Sequence, residues 1–298
     1  MTYDSIMINE LFAVIAPILL CAGLGYGWAR GGFDYPVEFI TRMVMNIGAP
    51  CLIISAFGEA DIDFDKMTDI ATATVMCLLI MLVICLPLIR LMRLQTTTYL
   101  PSVLFPNIGN MGLPLCLFAF GETGLALGLI VFLVIFTLQM SFGVMFVAGR
   151  GNLAGLVRQP VIWATLIAVF LVVNDYSLPA WLDNTTSILG GLTIPLMLVT
   201  LGVSLAELKV SDWKRSLLFS TVRVIGGFLV AILVAGMIGL EGVDRGVLIL
   251  QLSMPVAVFN YLLALRYKRE PGEVAGMVVL LTLLAFLSLP LIVAYVLT

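Results

Sequence analysis

The chain has 298 residues, 61% hydrophobic and 11% charged, with mean hydropathy +1.15 and formal net charge −3. Soluble domains average roughly 45–50% apolar and about 25% charged residues, so this composition excludes an ordinary soluble fold and points to a membrane protein throughout. It holds no histidine, which excludes Ser-His-Asp chemistry and histidine metal sites; no nucleophile–base pair is visible, and no enzyme activity, cofactor, metal or nucleic-acid partner is expected.

A span takes roughly 20 apolar residues. Ten candidates follow along the chain, at about 8–29, 39–57, 67–89, 99–120, 123–148, 158–174, 186–206, 214–239, 244–266 and 271–297. The sixth is the shortest. The joins are short and leave no room for a soluble domain. Residues 1–10 are acidic rather than basic, unlike a cleavable signal peptide, so the first span is expected to be retained. Cys21, Cys51, Cys77, Cys85 and Cys116 all sit inside spans, without metal-type spacing, and read as packing residues.

Charge alternates from join to join. Arg30, Arg42, Arg90, Arg93, Arg150, Arg158, Lys209, Lys214, Arg215, Arg266, Lys268 and Arg269 fall on one set of joins. Glu59, Asp61, Asp63, Asp65, Glu122, Asp175, Asp183, Glu241 and Asp244 fall on the other, where Lys66 and Arg245 are the only basic residues. The positive-inside bias puts the basic joins in the cytoplasm and both termini outside.

Five plus five spans suggest an N-terminal repeat over 1–150 and a C-terminal repeat over 151–298. A shift of 145 residues carries Pro50 onto Pro195 and Asn110 onto Pro255, and sets Pro50-Cys51-Leu52-Ile53-Ile54-Ser55 against Pro195-Leu196-Met197-Leu198-Val199-Thr200. An odd number of spans per half inverts the second half relative to the first, the symmetry of many secondary transporters. Gly23, Gly25, Gly27, Gly190-Gly191 and Gly226-Gly227 suit small-residue helix packing.

Spans 4 and 9 carry helix breakers. Span 4 reads Phe105-Pro106-Asn107-Ile108-Gly109-Asn110-Met111-Gly112-Leu113-Pro114-Leu115, and span 9 has Pro255 at its centre. Proline removes a donor and clashes with the preceding turn, and glycine weakens a helix further. Opened backbone at membrane depth persists only where it is buried in protein or lines a cavity. Such paired breaks are the best sequence pointer to a transporter's site. Two of the four half-helix ends are N-termini with partial positive charge, suited to an anion. Asn107 and Asn110 either donate to a carboxylate or cap the freed backbone. Gln251, Ser253 and Asn260 in span 9, and Gln139 and Ser141 in span 5, are further candidates; interhelical hydrogen bonding is the alternative role for each. Arg223, inside span 8, either snorkels to the interface, holds a structural partner or lies on the anion path. No acid sits mid-span near either break, as a paired-carboxylate antiporter would require, and no phosphate-binding loop suggests direct use of ATP.

Pro106-Asn107 with Met111-Gly112-Leu113-Pro114-Leu115 resembles the fourth helix of the auxin efflux carrier family, which includes plant PIN-formed proteins and bacterial permeases. Gln251, Met254-Pro255 and Tyr267 resemble its ninth helix, Leu289-Pro290-Leu291 with Tyr295 its tenth, and Gly25-Tyr26-Gly27 and Ala49-Pro50-Cys51-Leu52 its first two. The resemblance implies ten helices in two inverted repeats, with a scaffold of helices 1, 2, 6 and 7 and a mobile domain of helices 3–5 and 8–10. It implies crossover roles for Asn107, Pro114 or its neighbours, and Pro255, and organic-anion substrates: auxin in plants, carboxylates such as malate or malonate in some bacterial members. Two features depart from the plant pattern: only a short join, Arg150 to Arg158, separates helices 5 and 6, and Asn260 stands where plant relatives commonly carry a second proline. Both favour a compact permease.

The expectation is therefore an all-α carrier for a small organic anion. It works by an elevator-like shift in the cytoplasmic membrane, as a homodimer through the scaffold helices. The crossover comprises Pro106, Gly109, Gly112, Pro114 and Pro255, with Asn107, Asn110, Gln251, Ser253 and Asn260 on the substrate and Arg223 and Gln139 on the anion path. An ion-coupled symporter or exchanger of the bile-acid and sodium/proton transporter folds and a non-transporting receptor are the rival readings.

Overall fold

The computed structural model describes residues 3–59, 63–148, 157–174, 176–208 and 213–297. Arg150, Lys209, Asp61 and Asp175 of the charge pattern lie outside the described residues. The described chain is helical. Its elements are α1 (Tyr3–Arg30), α2 (Val37–Met43), α3 (Ala49–Glu59), α4 (Phe64–Leu91), α5 (Thr96–Leu104), α6 (Leu113–Leu138), α7 (Val144–Ala148), α8 (Pro160–Val173), α9 (Ala180–Gly191), α10 (Thr193–Glu207), α11 (Trp213–Ile238), α12 (Gly242–Leu252), α13 (Val258–Tyr267) and α14 (Pro271–Leu297). Wide π-helical turns at Val44–Gly48, Ile108–Gly112 and Gln139–Gly143 join α2 to α3, lead into α6, and join α6 to α7.

Seven helical stretches among the described residues are long and apolar enough to cross a bilayer, against the ten spans expected. The difference has physical causes. The stretch 108–148 is more than one helix: Gly121 adopts φ 66°, ψ −155°, a conformation open essentially to glycine alone. The chain doubles back there, and Gly124 and Gly128 pack against Cys116. The segment α5 and the pair α12 and α13 are short because their helices are broken. At 1.5 Å per residue, none of the three covers a ~30 Å hydrocarbon core alone. α8 is also short, at 14 residues.

The helices pack mainly within two groups. In one, α1 lies along α10, and α3 lies against α8 and α9; in the other, α4, α6, α11, α12 and α14 pack together with α5, α7 and α13. Glycine sets the closest approach in the first group: a Cβ on Gly202 would run into the Ala22 carbonyl, and one on Gly25 into the Val199 carbonyl. Small residues allow such contact where lipid offers no hydrophobic drive between helices. Pro50 and Pro195, the aligned pair of the sequence repeat, each sit in the first turn of a helix that restarts after an interruption, α3 after its π turn and α10 after Leu192. Cys77, Cys85 and Cys116 are buried in the second group.

Candidate functional site

The two proline breaks meet each other. α5 stops at Leu104, and Phe105 is extended (φ −103°, ψ 101°), as the residue before a proline prefers. α12 stops at Leu252, and the chain re-enters helix at Val258 from an extended Ala257 (φ −65°, ψ 136°). Between the breaks, Pro106 and Val256 form a single antiparallel bridge. The Asn107 N–H donates to the Pro255 carbonyl at 2.7 Å, and the Ala257 N–H to the Phe105 carbonyl at 3.4 Å. Each break thus satisfies part of the backbone that the other exposes, the condition for irregular chain inside an apolar bundle.

The two C-terminal half-helix ends, which carry partial negative charge, are capped by side chains. Asn260 Nδ2 donates to the Phe105 carbonyl at 3.0 Å and the Pro101 carbonyl at 3.3 Å, and its Oδ1 accepts from Gln139 Nε2 at 2.7 Å. Arg223 Nη2 donates to the Leu252 carbonyl at 2.9 Å. Arg223 is fully buried, so it reaches the end of α12 instead of snorkelling to the membrane surface.

The two N-terminal ends stay open. Residues 106–110 and 257–259 line one cavity of about 130 Å³, closed by Phe132, Phe136 and Gln139 of the second group and by Thr41, Val44, Met45, Met197 and Thr200 of the first. One water needs about 10–15 Å³ on such a measure, so the space takes a small molecule. Asn107 is only 4% exposed and its Nδ2 has no hydrogen-bond partner. A buried orphan donor is costly, and here it lies in the wall of a cavity between two helix N-termini. None of the lining side chains is acidic or basic.

Of the residues singled out from sequence, Pro106, Asn107, Gly109, Asn110 and Gln139 line this cavity, and the others do not. Gln251 is fully buried and donates to the Gly128 carbonyl at 3.3 Å. Ser253 bonds the Ile249 carbonyl within its own helix end, and Ser141 bonds the Thr137 carbonyl. Asn260 lies behind the wall as a cap. Gly112 packs onto the Gln251 amide, and Pro114 sits in the first turn of α6, beyond the break. Thr41 and Thr200 were not singled out as site residues. Thr200 is the repeat partner of Ser55, and that alignment was the available signal. Its hydroxyl bonds Tyr35 Oη at 2.8 Å, while Ser55 bonds Ser187 at 2.8 Å beside a second cavity of about 370 Å³ near Glu122. Burial raises the Tyr35 hydroxyl above its ordinary pKa, outweighing the lowering by Thr200, so Tyr35 stays neutral at physiological pH.

Comparison with known proteins places these observations in a family. A family model described as membrane transport protein matches residues 11–154 and 149–293. An uncharacterized transporter of Methanothermobacter thermautotrophicus is 25% identical over 268 residues, covering 85% of this chain and 86% of that protein. An uncharacterized transporter of Methanocaldococcus jannaschii is 26% identical over 198 residues, covering 62% of this chain and 63% of the relative. The family match runs through both broken helices, and the chain, a multi-pass membrane protein, belongs to the membrane transport protein family, that of the auxin efflux carriers.

Proposed function

We propose that the protein is a secondary carrier that binds a small organic anion at the crossover and moves it by an elevator-like shift of one helix group against the other. One observation carries this reading. Both negative half-helix ends are capped, by Asn260 and Arg223, while both positive ends open on one cavity with the unpartnered Asn107 amide. Such a site attracts a carboxylate without a salt bridge. The apolar walls from Phe132, Phe136, Met197 and Phe259 favour a monocarboxylate with an apolar body, such as an auxin-like acid, over malate or malonate. The packing of α1–α3 mainly with α8–α10 supports a scaffold and a mobile domain; a homodimer would form through that scaffold. The matched restarts at Pro50 and Pro195 support two inverted five-span repeats, counting the broken helices as single spans.

A thermal-shift screen of the purified protein against indole-3-acetate, malate and malonate, with and without sodium, tests the reading. A ligand at 100 times its Kd stabilises the native state by about 2.7 kcal/mol. At least one organic acid should raise the melting temperature without sodium. No shift with any acid would overturn the reading, and a shift only with sodium would favour an ion-coupled symporter.

Topology is tested separately. With the basic joins in the cytoplasm and both termini outside, cysteines introduced at Asp63 and Arg93, at opposite ends of α4, should label from opposite sides of the inner membrane. Labelling of both from one side would exclude this arrangement.

A further inference from the structure

We infer that Arg223 sets the preference of the crossover for anions, although it does not touch the cavity. The inference rests on the proposed binding of an anion between the two helix N-termini. Arg223 is the largest fully buried side chain among the described residues. Its Nη2 holds the Leu252 carbonyl, while its Nε and Nη1 have no hydrogen-bond partner and no carboxylate pairs with it among the described residues. A guanidinium does not shed its proton in a protein, so a full positive charge is kept where a neutral donor would cap one carbonyl equally well. Burying a charge without a counter-ion is costly, which makes the residue poor as a stability device. Its position gives it an electrostatic role. It stands at the C-terminal end of α12, whose partial charge of roughly −0.5 it more than offsets. The nearby break then presents net positive potential to the cavity.

Close packing holds the charge in place. Gly227, one turn further along α11, lies against both the Leu252 carbonyl and Arg223 Nη1. Any larger residue there would push the guanidinium off the helix end. α11 and α12 pack directly on each other, so the charge stays with the break. Arg223 is thus a positioning and specificity-determining group that acts through the field. The missing counter-ion is the substrate's carboxylate.

The test compares indole-3-acetate with its uncharged isostere indole-3-acetamide, measuring both dissociation constants on wild type, R223Q and R223K. Wild type should prefer the anion. R223Q, which keeps a donor for Leu252, should bind the anion on the order of 10-fold more weakly, the effect of losing one buried unit charge nearby. Its affinity for the amide should change less than about twofold, and R223K should restore the preference. Equal losses for both ligands would mean that Arg223 only holds the fold, and an unchanged ratio would equally overturn the inference. The wild-type protein supplies a measurement that no folding defect can blur. A buried charge is screened weakly by salt, so the anion-to-amide ratio should hold from low to high ionic strength. A ratio that collapses with salt would assign the preference to exposed basic joins instead. Wild type that binds neither ligand would withdraw the anion reading itself.

Discussion

Asn107→Ala should weaken binding of the organic anion by roughly 10–150-fold, the loss of one hydrogen bond to a charged group at about 1.5–3 kcal/mol, while leaving the unliganded protein as stable as wild type or more so. The second half of this expectation separates a site residue from a structural one. The Asn107 amide nitrogen is buried without a partner, and replacing a buried orphan donor by a methyl group removes a desolvation cost instead of creating one. The break itself survives the substitution, because Asn107 enters the bridge to Pro255 through its backbone N–H. Asn260→Ala should behave in the opposite way. It removes the side-chain donor shared by the Pro101 and Phe105 carbonyls, which keep only their backbone partners, and it leaves the Gln139 amide without its acceptor, a buried orphan that costs about 1–3 kcal/mol. The melting temperature should therefore fall before any binding effect is seen. Calorimetric titration of indole-3-acetate, paired with thermal unfolding of each variant without ligand, checks both expectations. Asn107→Ala that is stable and binds as wild type does would exclude the crossover as the site.

The contrast between the two asparagines also marks what sequence could show. The breaks were legible because Pro106 and Pro255 interrupt apolar runs, and proline acts on its own helix within a turn or two. Asn107 was legible for the same reason, as a polar residue inside a break. The division of labour between Asn107 and Asn260 was not. Asn260 acts on carbonyls more than 150 residues away in sequence, and no local pattern encodes that. Nor could Gln251 be separated from Gln139. One amide is spent on the Gly128 carbonyl and the other stands in the cavity wall, yet each role is set by a contact with another helix more than 120 residues away in sequence, which no local pattern encodes. Arg223 was conspicuous as an intramembrane cation, but its target, the last carbonyl of a broken helix, needed the packing of α11 on α12. Thr200 was visible only as the repeat partner of Ser55. The charge pattern of the joins gives an orientation, while the site depends on contacts between halves.

Transport should be electrogenic and should need no sodium gradient. The cavity walls carry no acid or base to exchange a proton with the substrate. A monoanion then crosses with its charge, and an inside-negative potential drives its export by about 2.3 kcal/mol per 100 mV for each charge moved fully across. Arg223 does not alter that total, because it goes out and comes back in every cycle. It decides which half of the cycle feels the voltage. If α11 travels with the crossover, the loaded carrier pairs +1 with −1 and moves nearly neutral. The empty carrier returns inward bearing the guanidinium charge, a step that the inside-negative potential favours. Net export should therefore accelerate under a potassium–valinomycin potential in liposomes, while exchange of labelled for unlabelled anion, which uses only the loaded carrier, should respond little. In R223Q the assignment reverses: the loaded carrier moves with charge −1, exchange becomes sensitive to voltage, and the empty return does not. Strict dependence on a sodium or proton gradient, with no response to the imposed potential, would refute uncoupled anion transport. Equal voltage sensitivity of exchange in the two proteins would show that the Arg223 charge stays behind when the substrate crosses.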